Sequence, residues 1–129
     1  MLHRQLAAYL DAVDQVILNS KVTYVERYSE EILTPERVNL RIRIRFERGE
    51  LLEINEAVII VNDRLTHLGY RYHFQDRRNC LIFRYDNTPH FPDLLTFPHH
   101  KHCPGEVVGS EQPHISQVLE EALEFLAQN

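Results

Sequence analysis

Apolar residues recur at helical spacing at both ends of the chain and alternate with polar residues in between. Near the start, Leu6, Leu10, Val13 and Ile17 recur every three or four positions, which predicts an amphipathic helix over residues 2–18. After residue 112 the same spacing returns and predicts a C-terminal helix, with apolar positions Ile115, Val118, Leu119, Ala122, Leu123 and Leu126.

From about residue 21 the period changes to two, which is typical of β-strands. In "NLRIRIRFERGELLEI" apolar residues alternate with arginines, and Arg48–Gly49 predicts a hairpin turn. The segments "GYRYHFQ" and "CLIFRYD" predict a second hairpin around Arg77–Arg78, in which we expect Phe74 to face Leu81. Residues 57–63 fit either a strand or a short helical turn.

These elements predict an α+β fold in a single domain of residues 1–129. We expect an N-terminal helix, an antiparallel β-meander of four to six strands, a long His/Pro-rich loop over residues 86–112, and a C-terminal helix. The two helices would pack on the apolar face of the sheet. A chain of 129 residues is long enough to bury such a core.

Composition narrows the class of protein only a little. The chain is 43% hydrophobic and 26% charged, as in ordinary globular domains. It has no apolar run near the roughly 18–20 residues that span a bilayer, so we expect a cytoplasmic protein with no membrane partner. The net charge of −5 argues against nonspecific coating of nucleic acid but leaves room for a local basic surface.

Strand alternation places such a basic surface on the sheet face opposite the helices. Its residues would be Arg41, Arg43, Arg45, Arg71, His73, Arg84 and Asp86. On one interpretation, cross-strand ion pairs with Glu26, Glu30, Glu53 and Glu56 neutralise the arginines. On the other, the face binds a nucleic-acid backbone, because the planar guanidinium group donates paired hydrogen bonds to phosphate. The RNA-binding residues would then be Arg41, Arg43, Arg45, Arg71 and Lys101.

The loop contains "TFPHHKH", residues 96–102, with three histidines in four positions. One hypothesis is a metal site built from His90, His99, His100 and His102 with Asp86 or Cys103, although this spacing matches no known zinc motif. We therefore expect no metal and no other cofactor. A second interpretation is that the histidines only form hydrogen bonds with the backbone of the loop.

The remaining hypothesis is acid–base chemistry on RNA. Two histidines that are neutral near pH 7 can flank a phosphodiester, one removing and one supplying a proton, while a cation stabilises the developing charge. RNA carries its own nucleophile in the 2′-hydroxyl group. The candidate catalytic residues are His73, Arg84, Asp86, His90, His99 and His102.

The stretches "YRYHFQD", "LIFRYDNTPHFPDLLTFPHHKH" and "VVGSEQPHISQVLEE" resemble the TumE family, the toxin half of bacterial and archaeal toxin–antitoxin operons. Phe91 departs from the pattern, because a polar residue or histidine is expected there. The positions that match the family's motifs are Tyr72, His73, Arg84, Asp86, Asn87, Pro89, His90, His99, His100, Lys101 and His102.

The resemblance implies a cytoplasmic toxin of a type II system, neutralised in a complex with a cognate antitoxin that often carries a helix-turn-helix DNA-binding domain. By analogy with other small toxins, we expect a metal-independent ribonuclease. His73 would act with one of His90, His99 or His102. Arg84 and Lys101 would hold phosphate, and Asp86 would orient a histidine.

Two alternatives stay open. The same loop could serve a metal-dependent nuclease or hydrolase. The protein could also be a non-enzymatic one that binds a partner or regulates operator DNA, and the histidine loop would then be structural.

Overall fold

A computed structural model of the chain describes residues 1–22 and 24–129. Within these residues the chain forms two helices, α1 (Arg4–Asn19) and α2 (Ile115–Gln128), and one seven-stranded sheet. The strands are β1 (Val25–Thr34), β2 (Arg37–Arg45), β3 (Leu51–Val61), β4 (Arg64–Gln75), β5 (Leu81–Asp86), β6 (His100–Cys103) and β7 (Glu106–Gly109).

The strands lie in the sheet in chain order and each pairs antiparallel with the next. The predicted α+β class, with flanking helices and a β-meander, is confirmed. The described sheet has more strands than the four to six expected, because part of the predicted loop forms the β6–β7 hairpin. Neither helix in the described residues is long and apolar enough to cross a membrane.

Both helices pack on one face of the sheet, as their apolar stripes predict. In α1 the buried residues are Leu6, Leu10, Val13 and Ile17, and in α2 they include Ile115, Val118 and Leu119. They meet alternate residues of the strands, among them Leu40, Ile42, Ile44, Leu52, Ile54, Tyr72, Phe74 and Phe83. We call this side the covered face and the opposite side the open face.

The turn between β3 and β4 resolves the ambiguity at residues 57–63. The strand continues to Val61, and Asn62 and Asp63 then adopt φ angles of 50° and 59°. Two successive residues with positive φ make the tight turn whose twist suits a hairpin, and Asn and Asp tolerate this conformation better than most residues. A strand is therefore present, not a helical turn.

The predicted register of the β4–β5 hairpin was wrong by two residues. Phe74 faces Phe83, not Leu81, and an irregularity in the pairing separates Phe74 from Gln75. The connection is longer than a two-residue turn because the Asp76 carboxylate accepts hydrogen bonds from the backbone N–H groups of Arg78 and Cys80. For residues 71–74 and 83–86, a shift of two residues leaves each side chain on its predicted face.

A buried carboxylate joins α1 to the covered face. Glu56 is 4% exposed and accepts hydrogen bonds from the hydroxyl groups of Tyr9 and Tyr72, while His67 Nε2 lies 3.2 Å from its Oε1. Burial and the nearby Glu56 charge raise the pKa of both tyrosines, so both remain protonated donors. One interpretation of the sequence required Glu56 to neutralise the arginines of the open face. Its position on the covered face shows that it does not. Glu30 pairs with Leu40, which is a covered-face position, so Glu30 does not neutralise the arginines either.

We expect Tyr72→Phe to lower the free energy of unfolding by about 1.5–3 kcal/mol, because it removes one of the donors to a buried charge. Urea denaturation at pH 7 measures the change. The control is Tyr24→Phe, since Tyr24 is 59% exposed. Equal stability of the two variants would show that the hydroxyl group of Tyr72 does not stabilise Glu56.

Candidate functional site

Strands β5 and β6 place four chemically active side chains together on the open face. Arg84 pairs with His102 and Asp86 pairs with His100. Because side chains two residues apart on a strand point to the same face, the two pairs lie side by side. We call Arg84, Asp86, His100 and His102 the Asp–His cluster.

Asp86 is the centre of this cluster. Its Oδ1 lies 2.9 Å from His100 Nε2, and its Oδ2 lies 3.5 Å from His102 Nε2 and 3.3 Å from Arg84 Nε. The Nε2 atoms of the two histidines are 3.1 Å apart. Although the open face carries no helix, Asp86 and His100 are only 5% and 1% exposed. The carboxylate therefore acts in a partly desolvated setting, where its charge interacts strongly with its neighbours.

The hydrogen bond on the far side of His100 determines its tautomer. Its Nδ1 lies 2.9 Å from the carbonyl oxygen of Pro98. A carbonyl oxygen only accepts, so Nδ1 carries a hydrogen and Nε2 faces Asp86 and His102. In a neutral ring with this tautomer, the lone pair on Nε2 faces the Asp86 carboxylate, an arrangement that a bound cation would satisfy.

His102 is the more accessible histidine of the cluster. Partial burial lowers its pKa, the Arg84 charge lowers it further, and Asp86 acts in the opposite direction. The ring is therefore largely neutral at pH 7, the state in which a histidine accepts a proton. Within the described residues its Nδ1 has no hydrogen-bond partner, whereas its Nε2 faces Asp86 and His100.

Residues of the loop after β5 form the rim of the site. The ring of Phe91 packs edge-on against His100 and His102, with centroid distances of 4.9 and 5.9 Å. His90 is exposed and close enough to His102 for its charge to lower the pKa of that residue. Phe91, which stands where a polar residue was expected, thus forms a wall that shields the cluster from water.

His73 lies in the same cross-strand row as Arg84 and His102. Its Nε2 is 2.9 Å from Gln75 Oε1, and its Nδ1 is buried without a hydrogen-bond partner in the described part of the chain. Burial lowers its pKa, with further lowering by Arg71 and Arg84. Its Nδ1 is therefore closed to solvent, and its Nε2 is engaged with Gln75.

Two predicted site residues point to the covered face. His99 Nδ1 lies 2.9 Å from the Tyr70 hydroxyl oxygen, and the two rings stack. Lys101 Nζ lies 2.7 Å from Glu121 Oε2 and 5.0 Å from the Tyr85 ring centroid. The structure does not bring these two side chains to Asp86, because strand alternation separates Lys101 from His100 and His102.

His100 is the residue that the acid–base hypothesis omitted. The sequence suggested it only as a metal ligand and as a motif position. The spacing "HKH" would have paired it with His102 if residues 100–103 had been recognised as a strand. This strand is only four residues long and follows a segment with three prolines, which made a loop the natural prediction.

The predicted RNA-binding arginines divide into two kinds. Arg43 pairs with Glu26 and Glu53, and Arg45 pairs with Glu26. Arg41 and Arg71 are exposed, and in the described residues neither forms an ion pair. The neutralising interpretation therefore applies to Arg43 and Arg45 but not to the other two.

A family model described as Toxin TumE matches residues 13–129. No curated protein and no solved structure matches the chain.

The lowered pKa of His73 gives a testable pH dependence. Its folded-state pKa lies below the ordinary value of 6.5, so below pH 6.5 the unfolded chain binds the proton more readily and stability falls. His73→Gln removes this contribution, and its stability should decline less steeply than that of the wild type as the pH falls from 6.5. Urea denaturation at several pH values measures both slopes. If the stability of the two proteins changed in parallel with pH, the lowered pKa of His73 would be contradicted.

Proposed function

Because the chain belongs to the TumE toxin family, we propose that this toxin of a type II toxin–antitoxin system is a cytoplasmic ribonuclease that uses the Asp–His cluster. The observation that carries the proposal is a partly exposed His102 held beside a buried aspartate and an arginine. A general base and a cation are two of the groups that cleavage of RNA through its own 2′-hydroxyl requires.

His102 is the general base in this proposal. Its Nε2 faces Asp86, which stabilises the imidazolium ion that forms and leaves Nδ1 to accept the proton of the 2′-hydroxyl group. The 2′-oxygen then attacks the adjacent phosphorus atom. Arg84 stabilises the negative charge that develops on the phosphoryl oxygens.

The leaving 5′-oxygen needs a proton from a second group. His90 is the best-placed donor, because it is exposed at the rim and electrostatically coupled to His102. The products are a 2′,3′-cyclic phosphate and a 5′-hydroxyl end. His73, whose Nδ1 is buried and whose Nε2 is engaged with Gln75, supports the cluster and transfers no proton in this scheme.

Family membership also implies an antitoxin partner. We propose that the antitoxin carries a helix-turn-helix DNA-binding domain and forms a stable complex with this chain. Neutralisation would follow if the antitoxin blocked access to the cluster.

A metal-dependent hydrolase is the second candidate, and one observation favours it. The ligand atoms of Asp86, His100 and His102 all lie within 4.8 Å of one another. The bond from His100 to the Pro98 carbonyl oxygen is the outer contact that metal-binding histidines usually make. A divalent cation would satisfy the converging lone pairs and activate a water molecule.

We expect His102→Ala to lower RNA cleavage by about 100-fold or more, because a general base contributes on the order of 10²–10⁴ in rate. His99→Ala is the matched control, since His99 is nearby in sequence but faces Tyr70. The assay is cleavage of purified RNA, with growth arrest on induced expression as the cellular measure. Growth arrest that survives in His102→Ala would support the non-enzymatic alternative.

A chelator separates the two chemical candidates. Under the acid–base proposal, EDTA leaves cleavage unchanged and the purified protein binds no stoichiometric divalent metal by calorimetry. Loss of cleavage with EDTA, restored by one divalent ion in the wild type but not in His100→Ala, would establish the metal-dependent candidate instead.

A further inference from the structure

The arginines of the open face differ in how their charges are neutralised. Arg43 Nε lies 2.8 Å from Glu26 and its Nη1 lies 3.3 Å from Glu53, while Arg45 lies 3.2 Å from Glu26 and also donates to the Gly49 carbonyl oxygen. These two arginines and two carboxylates form a closed group. A phosphate that bound there would have to displace existing ion pairs.

Arg41 and Arg71 have no such partners. Both are exposed, and among the described residues no carboxylate oxygen lies within ion-pairing distance of either. Asp86 faces Arg71 in the strand register, but its oxygens are 2.9–3.5 Å from Arg84, His100 and His102. The two guanidinium groups therefore keep their full capacity to bind an anion.

The sheet aligns these two residues on either side of one amide. Arg41 on β2 faces Asn55 on β3, and Asn55 faces Arg71 on β4. Adjacent strands are about 4.8 Å apart, so the two arginine backbones are roughly 10 Å apart, close enough for both side chains to reach one anion. They line a concave region of about 360 Å³ together with Asn55 and Asn87.

We propose that Arg41, Asn55 and Arg71 form a subsite for an RNA backbone phosphate. This inference rests on the proposed ribonuclease function and names how the substrate is held. The planar forks of the two arginines suit bidentate contact with phosphate oxygens, and the Asn55 amide supplies a neutral donor between them.

The position of the subsite fits a neighbouring phosphate of the same strand. The row Arg41–Asn55–Arg71 continues into Asp86 and His100. A phosphate above Asn55 would lie on the order of 10 Å from Asp86, two strand spacings away. The subsite therefore holds a phosphate near the scissile one and aligns the RNA across the sheet.

The test is binding of a 2′-O-methyl RNA oligonucleotide, which has no free 2′-hydroxyl group and is not cleaved. Fluorescence anisotropy compares wild type with Arg41→Gln/Arg71→Gln at 50–200 mM KCl. We expect the double variant to bind about ten- to a hundredfold more weakly. Its negative slope of log affinity against log salt should become shallower by about 0.7, the value for one lost phosphate contact on a single strand.

Arg43→Gln/Arg45→Gln is the matched control, because it removes the same net charge from the same face. We expect it to lose less affinity than the first variant. Equal losses would overturn the subsite and indicate a diffuse electrostatic attraction. Circular dichroism confirms that both variants are folded.

Cleavage of unmodified RNA distinguishes a failure of the phosphate subsite from a failure of the proposed ribonuclease function. If the wild type cleaves RNA but Arg41→Gln/Arg71→Gln binds the analogue as tightly as the wild type does, only the subsite is wrong. If the wild type neither cleaves RNA nor binds the analogue, the proposed function fails together with the subsite.

Discussion

The pairing of β6 with β5 decides which histidines can act together. The antiparallel register sets His102 beside Arg84 and His100 beside Asp86, and alternation along the strand sends Lys101 to the opposite face. The hydrogen bond from His100 to Pro98 then directs Nε2 of His100 at the carboxylate. A slip of one residue in this pairing would exchange the two faces and disperse the cluster. The proposed chemistry thus depends on a strand of four residues.

The same alternation explains how a chain of net charge −5 can present a locally basic surface. Some of its acidic side chains lie on or toward the covered face, including Glu56 beside two tyrosines and Glu121 beside Lys101. Others neutralise particular arginines on the open face. Arg41 and Arg71, which lie near the Asp–His cluster, are left exposed, and within the described residues neither forms an ion pair. Total charge is a poor guide here, because a binding surface depends on where unpaired charges lie.

Sequence patterning predicted the features that depend on a long repeat. Helical spacing gave both helices, and the alternation of arginine with aliphatic residues gave the two faces of β2 and β3. The site was predicted less well because it depends on short-range geometry. The turn at Asp76 lengthened the β4–β5 connection, and the short β6 strand has too few residues to show a period. His99 and His102 are alike in sequence, and only strand pairing separates the ring that faces Tyr70 from the ring that faces Asp86.

The central claim is that His102 removes a proton from the 2′-hydroxyl group of RNA, and the chemistry of the cleaved ends tests it most directly. Purified protein is incubated with a labelled RNA, and the termini are identified by mass spectrometry. The account predicts fragments ending in a 2′,3′-cyclic phosphate and beginning with a 5′-hydroxyl group, with no fragments from RNA that is 2′-O-methylated throughout. Cleavage of the methylated RNA, or fragments with 5′-phosphate and 3′-hydroxyl ends, would contradict it and point to attack by water.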